Sequence, residues 1–189
     1  LYGMMPNAYT IDTTVASCRC DHVTSANKLH CLQSRHNINA AQVEGFAQFM
    51  ASDTLNNSAQ TNCTFVYYKE FRNDNGTVTA PPMAKSCYTQ TRWMENHCSA
   101  SSTNRGTEFD WMGFYWWLHN KGSQYSYDDL ASVYKKACNG SCAGVSTTWS
   151  GLRTAAASVY GSGTTKALFW RDTTYRLQQS RELPPSNWS

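Results

Sequence analysis

The sequence predicts a mainly α-helical protein, about six helices with a minor β hairpin, stapled by disulfides. Three observations carry this prediction. Apolar residues recur at helical spacing in several windows between Asn39 and Leu177. Helix-end signals accompany them: a Ser or Thr three residues ahead of an acid at the start, and a glycine just past the last apolar residue. Finally, eight cysteines, an even number, are spread along the chain instead of gathered into paired CxxC units.

At 189 residues and 21.2 kDa the chain is expected to be a single domain, 1–189, large enough to bury a real core. Its parts are a cysteine- and histidine-rich irregular segment (1–38), a helical body (39–183) and a tail (184–189). Seven Trp and eleven Tyr supply much of that core. The net charge of +3 is small and scattered, with no Lys/Arg run to grip phosphates, so nucleic acid is not an expected partner. No apolar stretch reaches membrane-spanning length; Trp111–Leu118 is only eight residues long. A soluble, exported protein is expected.

Residues 1–38 show no sustained periodicity, and a short strand is expected near Tyr9–Val15. His22, His30 and His36 lie here, read either as loop residues or as one wall of a polar cleft. Asn39–Asp53 is an amphipathic helix. Val43, Phe46, Ala47 and Met50 form an apolar stripe at i, i+3, i+4, i+7. Glu44, Gln48 and Ser52 form a polar row beside it. Gly45 inside this helix costs roughly 1 kcal/mol relative to alanine, which suggests close packing there.

Thr64–Phe71 is β-branched and aromatic, and Asp74-Asn75-Gly76 turns it toward Thr77–Thr79, giving a hairpin or an extended arm that ends at Pro81-Pro82. Lys85–His97 is expected to be a short helix with Trp93 and Met94 inward. Thr107-Glu-Phe-Asp110 resembles a capping box, opening a helix that runs to Asn120 and stops at Lys121-Gly122. Apolar nearly all round, it should be the central buried helix. Ser126-Tyr-Asp-Asp129 is a second cap, with Leu130, Val133 and Tyr134 inward and an end at Cys138-Asn139-Gly140. Thr148 opens a third helix, placing Trp149, Leu152, Ala156 and Val159 on one face before Gly161. Thr164 or Thr165 opens the last, holding Leu168, Phe169, Tyr175 and Leu177, and Pro184-Pro185 closes it.

The cysteines are Cys18, Cys20, Cys31, Cys63, Cys87, Cys98, Cys138 and Cys142. Zinc ribbons need two close pairs, and here only Cys18-x-Cys20 and Cys138-x3-Cys142 are close, so disulfides in an oxidising compartment are the better reading. Connectivity stays open among 105 pairings. Sequons at Asn56, Asn62, Asn75, Asn139 and Asn187 are weak signs of a eukaryotic secretory route. The chain begins at Leu1 with no export signal, so it is expected to be a processed piece of a longer precursor, secreted or extracellular, with periplasm and cell surface as variants.

Gly-x-Ser-x-Gly, Walker and Gly-x-Gly-x-x-Gly motifs are absent, as is His-Glu-x-x-His. One carboxylate stands out. Ala41-Gln-Val-Glu-Gly-Phe-Ala-Gln48 resembles the second metal-binding helix of gluzincin metallopeptidases. Together with Cys18-Arg-Cys-Asp-His22, His30-Cys-Leu-Gln-Ser-Arg35 and Glu108-Phe-Asp-Trp111, it is similar to the C-terminal part of secreted, cysteine-rich bacterial proteins of gluzincin-like type. The resemblance implies that Glu44 is the third ligand of a zinc ion and that the histidine ligands come from an upstream helix. It also implies that the chain alone is inactive and pairs with an N-terminal fragment of the same precursor. The chain departs from the pattern in lacking the histidine helix, and in having Gln48 where thermolysin-like members have Asp.

Three other readings stand beside it. Glu44 is a solvated carboxylate in its polar row, and the protein is a non-catalytic extracellular structural or binding module that self-assembles as a homo-oligomer or binds a surface. Alternatively, two of His22, His30 and His36 join Glu44, although their spacings fit no helical i, i+4 pair. A glycan-processing pair drawn from Glu108, Asp110, Asp128 and Asp129 is the third, but helix-capping and dipole roles account for these acids.

Overall fold

A computed structural model describes residues 38–57, 59–67, 71–72, 78–79, 83–86, 108–120, 125–139 and 149–179. In chain order these form α1 (Ile38–Leu55), β1 (Thr64–Tyr67), β2 (Phe71–Arg72), β3 (Val78–Thr79), β4 (Met83–Ser86), α2 (Glu108–Asn120), α3 (Tyr127–Cys138), α4 (Trp149–Tyr160) and α5 (Thr165–Gln179). The described part is mainly helical. Its strands are short: β1 pairs antiparallel with β4, Thr64 opposite Ser86, and β2 with β3, Phe71 opposite Thr79. Lys85 and Ser86, expected to begin a helix, are therefore claimed by strand pairing with β1. The rest of that expected helix, the expected strand at Tyr9–Val15, the 1–37 segment and the tail lie outside the described residues.

The centre of the fold is α2. Trp111, Met112, Phe114, Tyr115, Trp116 and Leu118 are all essentially buried, as a helix apolar around its whole circumference requires. Aromatic edges and faces set its packing. Trp111 meets Phe114 edge-on, Phe114 meets Trp170 of α5, and Phe46 and Phe49 of α1 close on Tyr115. The Tyr115 and Tyr134 hydroxyls lie 2.5 Å apart in the core between α2 and α3. Each answers the other's polarity there, and burial pushes both phenols well above their ordinary pKa.

Packing of α1 is heaviest against α2. The buried positions of α1 are Gln42, Gly45, Phe46 and Phe49, while Ala47 and Met50 are exposed. The buried stripe is thus turned one residue back from the expected Val43-Phe46-Ala47-Met50 set, with Val43 half-buried at its edge. An apolar count misses this face because it includes a polar residue and a glycine that has no side chain to score. Ser52 reaches the Met112 sulfur, 3.7 Å away, while its neighbour Asp53 reaches Asn120. Those two α2 residues are eight positions, roughly 12 Å, apart along the axis. The end of α1 therefore contacts α2 both near its start and at its last residue.

Caps define the remaining helices. The Ser126 hydroxyl accepts the Asp129 amide while Asp129 Oδ2 accepts the Ser126 amide, the full reciprocal box at the start of α3. Leu130, Val133 and Tyr134 are buried as expected. Asn139 ends α3 at φ 41, a left-handed conformation that asparagine tolerates better than most residues. Gly161 ends α4 at φ 86, which favours glycine. Thr164 caps α5, its hydroxyl accepting the Ala167 amide at 3.2 Å.

Two expected faces shift. Val159 is 37% exposed, and Ala155 takes its place beside Leu152 and Ala156 in the core. On α5, Ala167, Trp170, Thr173 and Thr174 are buried, whereas Leu168 and Phe169 are half-buried. The threonines reach the interior because their hydroxyls return to their own helix, to the Phe169 and Arg171 carbonyls at 2.8 and 2.7 Å. The side chains of Trp149, Tyr175 and Leu177 lie outside the described residues.

A polar knot ties α3 to α4 and α5. Lys166 Nζ donates to Asp129 Oδ2 at 2.8 Å, and its charge lies 5.3 and 5.4 Å from the Tyr125 and Tyr160 ring centres. The Tyr160 hydroxyl donates to the Asp129 carbonyl at 3.0 Å. Burial works against the Asp129 charge, but the bonds from Lys166 and Ser126 outweigh it and hold the carboxyl below its ordinary 3.8. A carboxyl with a lower pKa folded than unfolded stabilises fully above the unfolded value, and that stabilisation is lost as pH falls through the folded one. Urea denaturation should therefore show Asp129→Asn less stable than the native chain at neutral pH. The gap should shrink as pH drops below 3.8.

Candidate functional site

Glu44, the carboxylate the sequence singles out, sits in the second turn of α1, half-buried, directly before the buried Gly45. Its whole polar row is half-buried: Gln48 and Ser52 share that exposure, and Ser52 touches α2. The row thus flanks the helix interface instead of crowning an open face. Zinc needs three protein donors for a catalytic site. Among the described residues no group of three or more His, Cys, Asp or Glu lies together. The described residues alone therefore do not make such a centre. His22, His30 and His36 lie outside the described residues, as do Cys18, Cys20, Cys31, Cys87, Cys98 and Cys142. Cys63 and Cys138 are buried, and neither is a free thiol.

The acids at helix starts do not converge into a catalytic pair. Asp128 is exposed and Asp129 is committed to its cap and to Lys166. The side chains of Glu108 and Asp110 lie outside the described residues.

A different polar cluster forms where the ends of α1 and α2 meet the start of α3. Asp53 Oδ1 accepts Asn120 Nδ2 at 3.0 Å, and Oδ2 accepts the Tyr127 hydroxyl. His119 Nε2 faces the same Oδ2 at 3.4 Å, and its Nδ1 lies 2.5 Å from the Tyr125 carbonyl oxygen. The Tyr127 ring stacks on the imidazole at 4.8 Å between centres, tilted 17°, while Phe49 meets it edge-on. Aromatic faces and a backbone carbonyl thus fix the ring in orientation.

A carbonyl oxygen only accepts, so Nδ1 carries the proton. With one proton on the ring, Nε2 turns a lone pair toward a carboxylate oxygen, two acceptors face to face. Positive charge between them relieves that opposition. Nδ1 is committed to the backbone, which leaves Nε2, facing Asp53, as the ring nitrogen with a lone pair to give.

Sequence reasoning does not find this cluster: Asp53 is the last residue of the expected Asn39–Asp53 helix, and His119 lies just past the apolar run Trp111–Leu118. One signal was available: a histidine in the last turn of α2, where the helix dipole favours positive charge.

Burial, and then the hydrogen bond and charge of Asp53, push the Tyr127 phenol up to about 12. A phenol raised above its unfolded value stabilises fully below pH 10, and that contribution is lost as pH rises through the folded value. Ultraviolet titration should show Tyr127 ionising near pH 12, and Asp53→Asn should bring it back toward 10.

Comparison with protein-family models, with curated proteins and with solved structures gave no match.

Proposed function

We propose that this chain is the C-terminal portion of a secreted zinc-dependent peptidase, with Glu44 as third metal ligand and the histidine ligands encoded upstream of Leu1. One observation carries the reading: Glu44 is a half-buried carboxylate held on a helix packed against α2, not one in bulk solvent. A stiff helix gives a metal ligand the positional precision that zinc coordination demands. Disulfides and a small hairpin brace the helical body, and an N-terminal fragment of the same precursor completes the site. The chain alone is then inactive.

The competing reading is a non-catalytic, disulfide-rich extracellular module that self-assembles or binds a surface. It requires a large exposed aromatic patch. The exposed large hydrophobics among the described residues are Met50, Leu55, Tyr127 and Val159, with a single aromatic that is already stacked on His119.

Metal analysis of the purified precursor decides between them. The precursor should carry a His-Glu-x-x-His segment, hydrolyse peptide bonds and bind a zinc ion that Glu44→Gln releases, with loss of activity. A precursor without that segment, or a Glu44→Gln variant that keeps both zinc and activity, overturns the proposal.

A further inference from the structure

We propose that Asp53 and His119 form a binding site for a divalent transition-metal ion of the zinc type, with water completing its coordination. The spacing of the two donors carries the inference. A charge-assisted hydrogen bond between imidazolium and carboxylate closes to about 2.7–2.9 Å. The observed gap from His119 Nε2 to Asp53 Oδ2 is 3.4 Å, too wide for that bond. Around a tetrahedral zinc with ligand distances of about 2.0–2.1 Å, two ligand atoms stand roughly 3.3 Å apart. The gap therefore matches one edge of a zinc tetrahedron.

The surroundings agree. The His119 Nδ1 proton goes to the Tyr125 carbonyl, which leaves Nε2 as the donor nitrogen. Metal-bound imidazoles are commonly oriented by such a backbone bond. Asn120 and Tyr127 pin the two oxygens of Asp53. The side chains of His119 and Asp53 are 24% and 16% exposed, so an ion and its waters have access. With two protein donors the affinity is modest, below that of a structural zinc site. The site is distinct from Glu44, nine residues and roughly 13.5 Å away along α1, and the inference does not depend on the peptidase reading.

The test uses the full 189-residue chain, stripped with chelator and titrated with zinc chloride. Nitrogen-15 spectra of the imidazoles, with His119 assigned through His119→Gln, should show Nε2 of His119 shifting on zinc addition while Nδ1 stays protonated. Asp53→Asn should weaken zinc binding by at least tenfold in calorimetry. Should a variant fail to fold, the wild-type spectra still decide. A His119 ring protonated on both nitrogens and unmoved by zinc overturns the proposal, as does wild-type zinc affinity in a folded Asp53→Asn chain.

Discussion

Trp170→Ala should lower the stability of the chain by about 3–5 kcal/mol, read as a fall in urea midpoint with the slope nearly unchanged. Trp170 is fully buried on α5 and meets Phe114 of α2 and Tyr125 edge-on. Truncation leaves a cavity between two helices that large rings elsewhere keep apart, so collapse around it is poor. Trp170→Phe separates ring volume from ring chemistry. The indole Nε1 is buried with no hydrogen-bond partner among the described residues. Phenylalanine gives up some area but also removes that donor, so its cost should stay below about 1.5 kcal/mol. A Phe variant as damaged as the Ala variant would show that the nitrogen is satisfied after all.

Asp53→Ala ranks second, with an expected loss of about 2–3 kcal/mol at neutral pH. The carboxylate receives Asn120 and Tyr127 and faces His119, so three side chains on two helices lose their common partner at once. The penalty falls mainly on the part-buried Asn120 amide left without an acceptor, because the exposed Tyr127 hydroxyl can turn to water. Asp53→Asn keeps an acceptor for one of them and should recover part of the loss. Equal stability of Asp53→Ala and the native chain would mean that water already serves these groups.

The helices were readable wherever local signals act alone. The Ser126–Asp129 box, the all-round apolar run of α2 and the Gly161 stop each depend on a few neighbouring residues, and each stands where the residues place it. Which face of a helix turns inward was less readable, because partners decide that. On α1, Gln42 and Gly45 are buried by docking on α2, and no apolar count selects them. On α5, Thr173 and Thr174 satisfy their hydroxyls internally and so pass as core residues, while Phe169 sits at the margin. Lys85-Ser86 went to a strand because pairing with β1 overrode a weak helical pattern. The Asp53–His119 cluster joins residues 66 positions apart, and only the fold brings them together.

The docking of α1 on α2 and α3 bears on the order in which the chain assembles. Its contacts span 60 residues from Ser52 to Met112 and 74 from Asp53 to Tyr127, whereas Tyr160 reaches Asp129 over 31 and Lys166 over 37. Closing the longer loops carries the larger entropy cost. The three C-terminal helices should therefore condense early and α1 should dock late, as the first unit to detach in native-state hydrogen exchange. Amides of α1 should then exchange ahead of those in α3 and α4.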